Sequence, residues 1–150
     1  MGMLNQGALS LMVSIGHRTG LFDALAELPD STLEEITTHT ALNNRYVKEW
    51  LGAMVSGGIL SYEPSEQKYR LPETHAALLT RSASPDNMAV FAQYIGLLGQ
   101  VEDKIIHCFR EGGGVGYEHF PRFHEVMADD SGQTVLAVLD EHILPLIGHR

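Results

Sequence analysis

The chain has 150 residues, 44% of them apolar and 19% charged, which is enough to bury a core and too apolar for wholesale disorder. It carries 10 basic and 19 acidic residues, a net charge of −9, which argues against a dedicated nucleic-acid binder because such proteins present a basic face to phosphates. A single cysteine, Cys108, excludes an internal disulfide framework and suits a reducing compartment. No apolar run approaches the ~20 residues of a membrane helix, and the first residues lack the basic region of a signal peptide. We therefore expect a soluble, cytoplasmic protein that contacts no membrane.

The first part of the chain predicts two helical segments. Apolar residues at helical spacing run through residues 4–28, and two glycines inside this stretch, Gly16 and Gly20, predict a break or a close packing contact. Ser31 and Glu34 match a capping box, in which a hydroxyl and a carboxylate satisfy free amides at a helix start. A short helix is therefore expected over roughly Thr32 to Thr38.

The next part predicts a third helix and a β-hairpin. Asn43 or Asn44 caps this helix, and Gly57-Gly58 ends it. Its buried face is expected to carry Val47, Trp50, Leu51 and Met54. Strands follow over residues 59–62 and 68–71. Three helices followed by a hairpin predict a winged helix-turn-helix domain, which we place at residues 1–81.

Residues 82–150 predict a helical extension. Apolar residues three or four positions apart predict one long amphipathic helix from Asp86 to about Arg110. The glycine run Gly112–Gly116 ends that helix, and further helices are expected around residues 119–128 and 133–146. The predicted fold class is mainly α, a winged helix-turn-helix with a small β-hairpin followed by a helical extension.

No catalytic or metal-binding constellation is visible in the sequence. The run Gly112–Gly116 follows a helix and has no lysine after it, so it does not match a phosphate-binding loop. His119 and His124 are five positions apart and so lie on different faces of a helix, and His142 could join them only through tertiary folding. We interpret Cys108 as packing filler, because adjacent residues on a helix point ~100° apart and no nucleophile–base pair follows from adjacency.

Two binding interpretations remain open. Aromatic residues near the glycines could line an apolar small-molecule pocket between helices, with core packing as the alternative. The candidate lining residues are Tyr94, Tyr117, Phe120, Phe123 and His124.

The other interpretation is DNA binding, since the helix after Asn43 is the reading helix of a winged helix-turn-helix. Its first turn would present Asn43, Asn44, Arg45 and Lys48 to the major groove. Three acidic residues, Glu49, Glu63 and Glu66, lie beside this surface. The acidic surroundings favour packing against protein over binding to DNA.

Several spaced blocks of the chain resemble one family. The blocks are Thr19–Leu25, Tyr46–Leu51, Gly57–Leu60, Tyr69–Pro72, Phe109–Val115 and Phe120–Met127. Together they are similar to the amino-terminal part of bacterial class I S-adenosylmethionine-dependent methyltransferases that carry an amino-terminal winged-helix domain. The resemblance implies a region that pairs subunits and supplies helices closing over the acceptor substrate.

In that family a cofactor domain follows, opened by a strand and a glycine-rich loop of the form Val-Leu-Asp-x-Gly-x-Gly. This chain instead reads Leu144–Arg150 at the corresponding place, so no residue of a methyl-donor site is carried over. S-adenosylmethionine is the cofactor of the full-length family, and we expect this chain alone to bind none and to transfer no methyl group.

The distribution of apolar residues also predicts a homodimer. Two amphipathic segments, Ala8–Leu25 and Phe91–Phe109, carry more apolar residues than a small three-helix module can cover. A twofold interface would cover the same patch on both copies. The alternatives to a methyltransferase region are a winged-helix transcription regulator and a stand-alone small-molecule binder.

Overall fold

The computed structural model describes residues 1–136, 139 and 143–147. In these residues the fold is mainly helical with one small antiparallel sheet, which confirms the predicted fold class. The α-helices are α1 (Gly2–Thr19), α2 (Leu21–Glu27), α3 (Leu33–Thr40), α4 (Asn44–Ser56), α5 (Glu73–Leu79), α6 (Ala89–Gly99), α7 (Glu102–Glu111), α8 (Phe123–Ser131) and α9 (Leu144–Ile147). The strands are β1 (Ser31–Thr32), β2 (Ser61–Glu63) and β3 (Lys68–Arg70), in the spatial order β1-β3-β2.

The core of the winged helix-turn-helix lies beneath α4. The buried face of this helix is the predicted one, formed by Val47, Trp50, Leu51 and Met54. The Trp50 ring meets Phe22 edge-on at a centroid distance of 5.2 Å, and its indole Nε1 donates to the backbone oxygen of Met12 at 2.8 Å. Asn43 caps α4, as predicted, by accepting a hydrogen bond from the Arg45 amide. These contacts fix α4 against both α1 and α2.

Both glycines of the first segment act as the sequence predicts. Gly20 has a φ of 73°, a left-handed conformation that ends α1 and turns the chain into α2. At Gly16 the helix approaches α4 so closely that a Cβ atom would lie 2.5 Å from Cζ2 of Trp50. The first segment is therefore two helices, with α1 seated directly on the Trp50 ring.

The capping box lies one residue later than predicted. Thr32 accepts a hydrogen bond from the Glu35 amide, and the Glu35 carboxylate accepts one from the Thr32 amide at 2.7 Å. Ser31 is instead buried in β1, where it pairs with Tyr69 of β3. The prediction of Ser31 and Glu34 was wrong because Ser31 lies in β1 and its hydroxyl donates to the Pro29 backbone oxygen at 2.7 Å, so Thr32 caps the helix instead.

The hairpin strands are also shorter than predicted. The strand expected over residues 59–62 begins only at Ser61, because the amides of Ile59 and Leu60 both donate to the Met54 backbone oxygen at the end of α4. The predicted return strand, residues 68–71, ends at Arg70. Tyr62 and Tyr69 pair across the two strands with their rings 4.7 Å apart. The hairpin is therefore a compact wing.

The single long helix predicted from Asp86 to Arg110 is wrong. The structure divides it into α6 and α7, with Val101 almost fully buried at the junction. Two acidic residues, Glu102 and Asp103, occupy the first turn of α7, where they interact favourably with the helix dipole. The apolar spacing continues across this break, which is why periodicity alone did not reveal it. Helix α6 packs along α1, beside the winged part of the chain.

The helix expected around residues 119–128 is displaced toward the C-terminus. A 3₁₀ turn occupies Tyr117–His119, and α8 begins only at Phe123, after Pro121. A π-helical segment, Gly132–Leu136, follows α8. Part of the helix predicted over residues 133–146 lies outside the described residues. His142 also lies outside them. Among the described helices, none combines the length and the hydropathy that a bilayer-spanning segment requires.

Candidate functional site

The glycine segment folds back against α7 and forms two adjoining clefts. Gly112 and Gly113 have φ values of 76° and 90°, which reverse the chain so that the next residues lie beside the helix. One cleft, of about 320 Å³, is lined by Asp103, Lys104, His107, Cys108, Gly114, Val115 and His119. The second, of about 340 Å³, is lined by Ile105, Cys108, Phe109, Gly114 and Val115. Cys108, Gly114 and Val115 are shared, so the two clefts form one surface, which we call the α7 cleft.

The two ends of the α7 cleft differ in chemistry. One end carries ionisable side chains from α7 together with His119, whereas the other is apolar and includes Phe109, which is 86% exposed. Such a surface suits a small molecule with a polar end and an apolar body. Cys108 is a half-buried free thiol with no hydrogen bond to a histidine among the described residues. Across all the residues that the structure describes, no three His, Cys, Asp or Glu side chains come together in an arrangement that could hold a metal ion.

Four of the five predicted lining residues lie in one aromatic cluster. The rings of Tyr117 and Phe123 are 5.1 Å apart, those of Phe120 and Phe123 are 6.2 Å apart, and the His124 ring stands edge-on to Phe123 at 5.7 Å. The cluster follows the α7 cleft in the chain, but none of its members lines that cleft. Tyr117 remains 69% exposed, so the cluster presents an aromatic surface of its own.

The fifth predicted residue, Tyr94, contacts α8. Its hydroxyl donates to the Asp130 carboxylate at 2.9 Å and lies 3.1 Å from the sulfur of Met127. Desolvation by burial, followed by the hydrogen bond to Asp130, raises the pKa of Tyr94 above its ordinary value. The structure therefore gives Tyr94 a role in joining α6 to α8.

Sequence analysis missed the residues that line the α7 cleft. His107 and Val115 were not considered for this site, His119 was considered only as a metal ligand, and Cys108 only as packing filler. The available signal was the run of glycines, since a reversal after a helix brings the following residues back along its last turns. That return is a tertiary contact, and the spacing of residues along the chain does not reveal it.

The DNA-reading residues lie where a winged helix-turn-helix would place them. Asn43, Asn44, Arg45 and Lys48 are all exposed at the start of α4. Glu49 is exposed on the same helix. The first turn of α4 is thus accessible, with two cations and an adjacent carboxylate.

The wing adds little positive charge to this surface. The ammonium group of Lys68 lies 2.7 Å from the Glu66 carboxylate, and this hydrogen bond raises the pKa of Lys68. The Glu63 carboxylate accepts hydrogen bonds from Ser65, which lower the pKa of Glu63. The Lys68 charge is therefore paired within the wing, and the hydrogen bonds from Ser65 favour the charged form of the nearby Glu63, which weakens attraction to phosphates.

Two stripes of exposed apolar side chains run along the paired helices α1 and α6. The stripe on α1 consists of Leu4, Leu11 and Ile15, and the stripe at the start and along α6 consists of Met88, Phe91, Ile95 and Leu98. The residues of the α6 stripe are three and four positions apart, so they lie on one face of the helix. The two stripes adjoin where Leu11 packs beside Gly96. Together they form one surface, which we call the α1–α6 face.

The fold defined by these elements is a winged helix-turn-helix with a helical extension. A family model described as "Rv2258c-like winged HTH domain" matches residues 7–81, half of the chain. The chain belongs to this family. No curated protein matches the sequence significantly.

Two solved structures share the fold. Human N-acetylserotonin methyltransferase in complex with SAM superimposes with a TM-score of 0.65 at 22% identity, covering 87% of this chain and 40% of that one. PigF with SAH superimposes with a TM-score of 0.57 at 15% identity, covering 91% of this chain and 45% of that one. This chain therefore corresponds to less than half the length of either protein.

Proposed function

We propose that this chain is the dimerisation and substrate-capping region of a SAM-dependent methyltransferase. The observation that carries the proposal is the fold shared with the SAM complex of human N-acetylserotonin methyltransferase and with PigF bound to SAH, over nearly all of this chain and less than half of theirs. Methyl transfer itself would need a separate cofactor-binding domain, which is not among the structural elements described above. Because its one cysteine suits a reducing compartment, we place the protein in the cytoplasm.

The α1–α6 face supports the dimerisation part of the proposal. It contains several exposed apolar side chains at helical spacing, including Phe91, Ile95 and Leu98 on α6. A contiguous apolar surface on a folded domain marks an interaction site, and a twofold axis would cover it on both copies at once. The acidic net charge of −9 does not oppose this contact, because the charges lie outside the apolar stripes.

Dimerisation is tested by placing a carboxylate in this face. We expect Leu98→Glu to convert the protein from a dimer to a monomer of 16.5 kDa in sedimentation equilibrium at tens of micromolar. The control is Leu78→Glu, which places the same charge at a comparably exposed leucine on α5. A monomeric wild-type protein, or equal dissociation of both variants, would contradict the proposed interface.

The α7 cleft supports the substrate-capping part. Its apolar end and its ionisable end are held between a helix and a reversed glycine segment, which suits an aromatic acceptor carrying a polar group. We expect saturation-transfer NMR with a panel of phenols and aromatic acids to detect binding by the wild-type protein. Cys108→Phe, which fills the shared part of the cleft, should abolish that binding, whereas Cys108→Ala should retain it. Binding that survives Cys108→Phe in a folded protein would refute this assignment of the cleft.

A further inference from the structure

Helix α7 has an apolar side that is left in water. Within the described part of the chain, none of the residues of α7 is buried. Ile105, Ile106 and Phe109 are 38%, 41% and 86% exposed. Because successive residues of a helix are about 100° apart, these three side chains lie on one side of α7, which we call the α7 face. Contiguous apolar surface of this kind marks an interaction site.

The rest of the described chain supports α7 on a different side. The glycine segment lies along the Cys108 side of the helix, where Gly114 and Val115 line the α7 cleft. The helix has only 10 residues, and isolated helices shorter than about 12–15 residues are marginal in water. A partner helix on the α7 face would therefore stabilise α7 as well as cover its apolar side chains.

The charges of α7 are segregated between its two ends. Glu102 and Asp103 occupy the first turn, and Arg110 occupies the last. Neither Glu102 nor Arg110 forms an ion pair with another described residue. They are eight positions apart, about 12 Å along the axis, which is too far for a pair within one helix. An antiparallel second copy of α7 would place each Glu102 beside the partner's Arg110. A second copy thus supplies both an apolar surface and the complementary charges.

We propose that α7 packs antiparallel against α7 of a second copy of this chain, through the α7 face and about a twofold axis near Ile106. The inference rests on the proposed dimerisation and adds a second surface to the α1–α6 face. The apolar spacing continues from Leu98 on α6 to Ile105 on α7, so the two surfaces follow one another along the chain. Ile105 and Phe109 also line the apolar end of the α7 cleft, so the partner's helix would cover that end.

The contact is tested by disulfide cross-linking in the full chain, with Cys108→Ser removing the native thiol. Ile106→Cys places a thiol near the proposed axis, whereas Glu111→Cys places one on the opposite side of α7. Both chains are oxidised with copper–phenanthroline at tens of micromolar protein. Because a disulfide requires Cα atoms within about 7 Å, we expect Ile106→Cys to form linked dimers about tenfold faster or more than Glu111→Cys.

The orientation is tested by exchanging charges in the chain that carries Ile106→Cys and Cys108→Ser. Arg110→Glu alone, or Glu102→Arg alone, would place like charges at both ends of the helix pair and should slow linkage about fivefold. An equimolar mixture of these two variants restores opposite charges at both ends. Most linked dimers in the mixture should therefore contain one chain of each kind, which intact mass spectrometry distinguishes by mass.

The proposal is overturned if Ile106→Cys links no faster than Glu111→Cys, or if the mixture gives no excess of mixed dimers. Sedimentation of Leu98→Glu reports separately on the α1–α6 face. A wild-type dimer that Leu98→Glu dissociates, together with slow linkage at position 106, would support the proposed dimerisation and refute the α7 pair. A failure of this inference is thereby distinguished from a failure of the proposed function.

Discussion

Gly16 is the position at which the packing of this fold can be tested most directly. Replacing it with alanine would place a Cβ atom 2.5 Å from Cζ2 of Trp50 and 2.7 Å from Cε2 of Phe22. Neither ring moves easily, because both are almost fully buried and the Trp50 indole donates a hydrogen bond to the Met12 backbone. The added methyl group must therefore push α1 away from α4.

The expected loss of stability follows from two opposing effects. Overpacking a core by one methyl group costs about 1–3 kcal/mol, and rigid neighbours favour the upper part of that range. Alanine is better than glycine in a helix interior by about 1 kcal/mol, which offsets part of the cost. We expect Gly16→Ala to lower the free energy of unfolding by about 1–2 kcal/mol, or the melting temperature by roughly 2–8 °C for a chain of this size.

The assay is urea unfolding followed by far-UV circular dichroism at one fixed protein concentration, since any dimer would make stability depend on concentration. Gly7→Ala is the matched control, because Gly7 lies in the same helix and a Cβ atom there would meet nothing within 4 Å. That control should gain about 0.5–1 kcal/mol. If Gly16→Ala were as stable as the control, α1 would not be seated on the Trp50 ring as described.

Four other predictions concern the cap, the titration and the ligands. Thr32→Ala removes the capping box of α3 and should cost about 1 kcal/mol, whereas Thr38→Ala, at an exposed position of the same helix, should cost much less. Because burial lowers the pKa of His17 in the folded protein, the unfolded chain binds a proton at this residue more readily than the folded protein does. The free energy of unfolding should therefore fall as the pH drops below 6.5. His17→Gln should flatten this dependence in denaturation curves recorded between about pH 5 and 7. In polarisation assays with random duplex DNA we expect no salt-dependent complex at physiological ionic strength, and Arg45→Ala with Lys48→Ala should leave stability and oligomeric state unchanged. Calorimetry with S-adenosylmethionine should show no saturable one-to-one binding by this chain alone.

The parts of the fold that sequence predicts well are those that depend on local contacts. The buried face of α4 follows from apolar spacing, and its start follows from the Asn43 cap; both are confirmed. The turn at Gly20 follows from the conformational freedom of glycine. In each case the residues that determine the structure are within a few positions of one another.

The predictions that were wrong depend on contacts between distant residues. Ser31 has the sequence context of a helix cap. In the structure it belongs to a two-residue strand that pairs with Tyr69, and no local pattern indicates that strand. The break between α6 and α7 is hidden because the apolar spacing continues across it, and the burial of Val101 at the junction is a tertiary contact that the spacing does not reveal. The α7 cleft likewise exists only because the glycine segment returns to Cys108. The division into residues 1–81 and 82–150 stays a prediction.

The hydrogen bond from Trp50 to Met12 has a practical consequence. Trp50 is the single tryptophan of the chain, so the intrinsic fluorescence of the protein reports one environment, the junction of α1, α2 and α4. Circular dichroism, in contrast, averages over every helix. If the emission of Trp50 and the dichroic signal change at the same urea concentration, the winged part and the helical extension unfold as one cooperative unit. If the two curves separate, the order of the two transitions shows which half of the chain unfolds first and therefore depends on the other half for its stability.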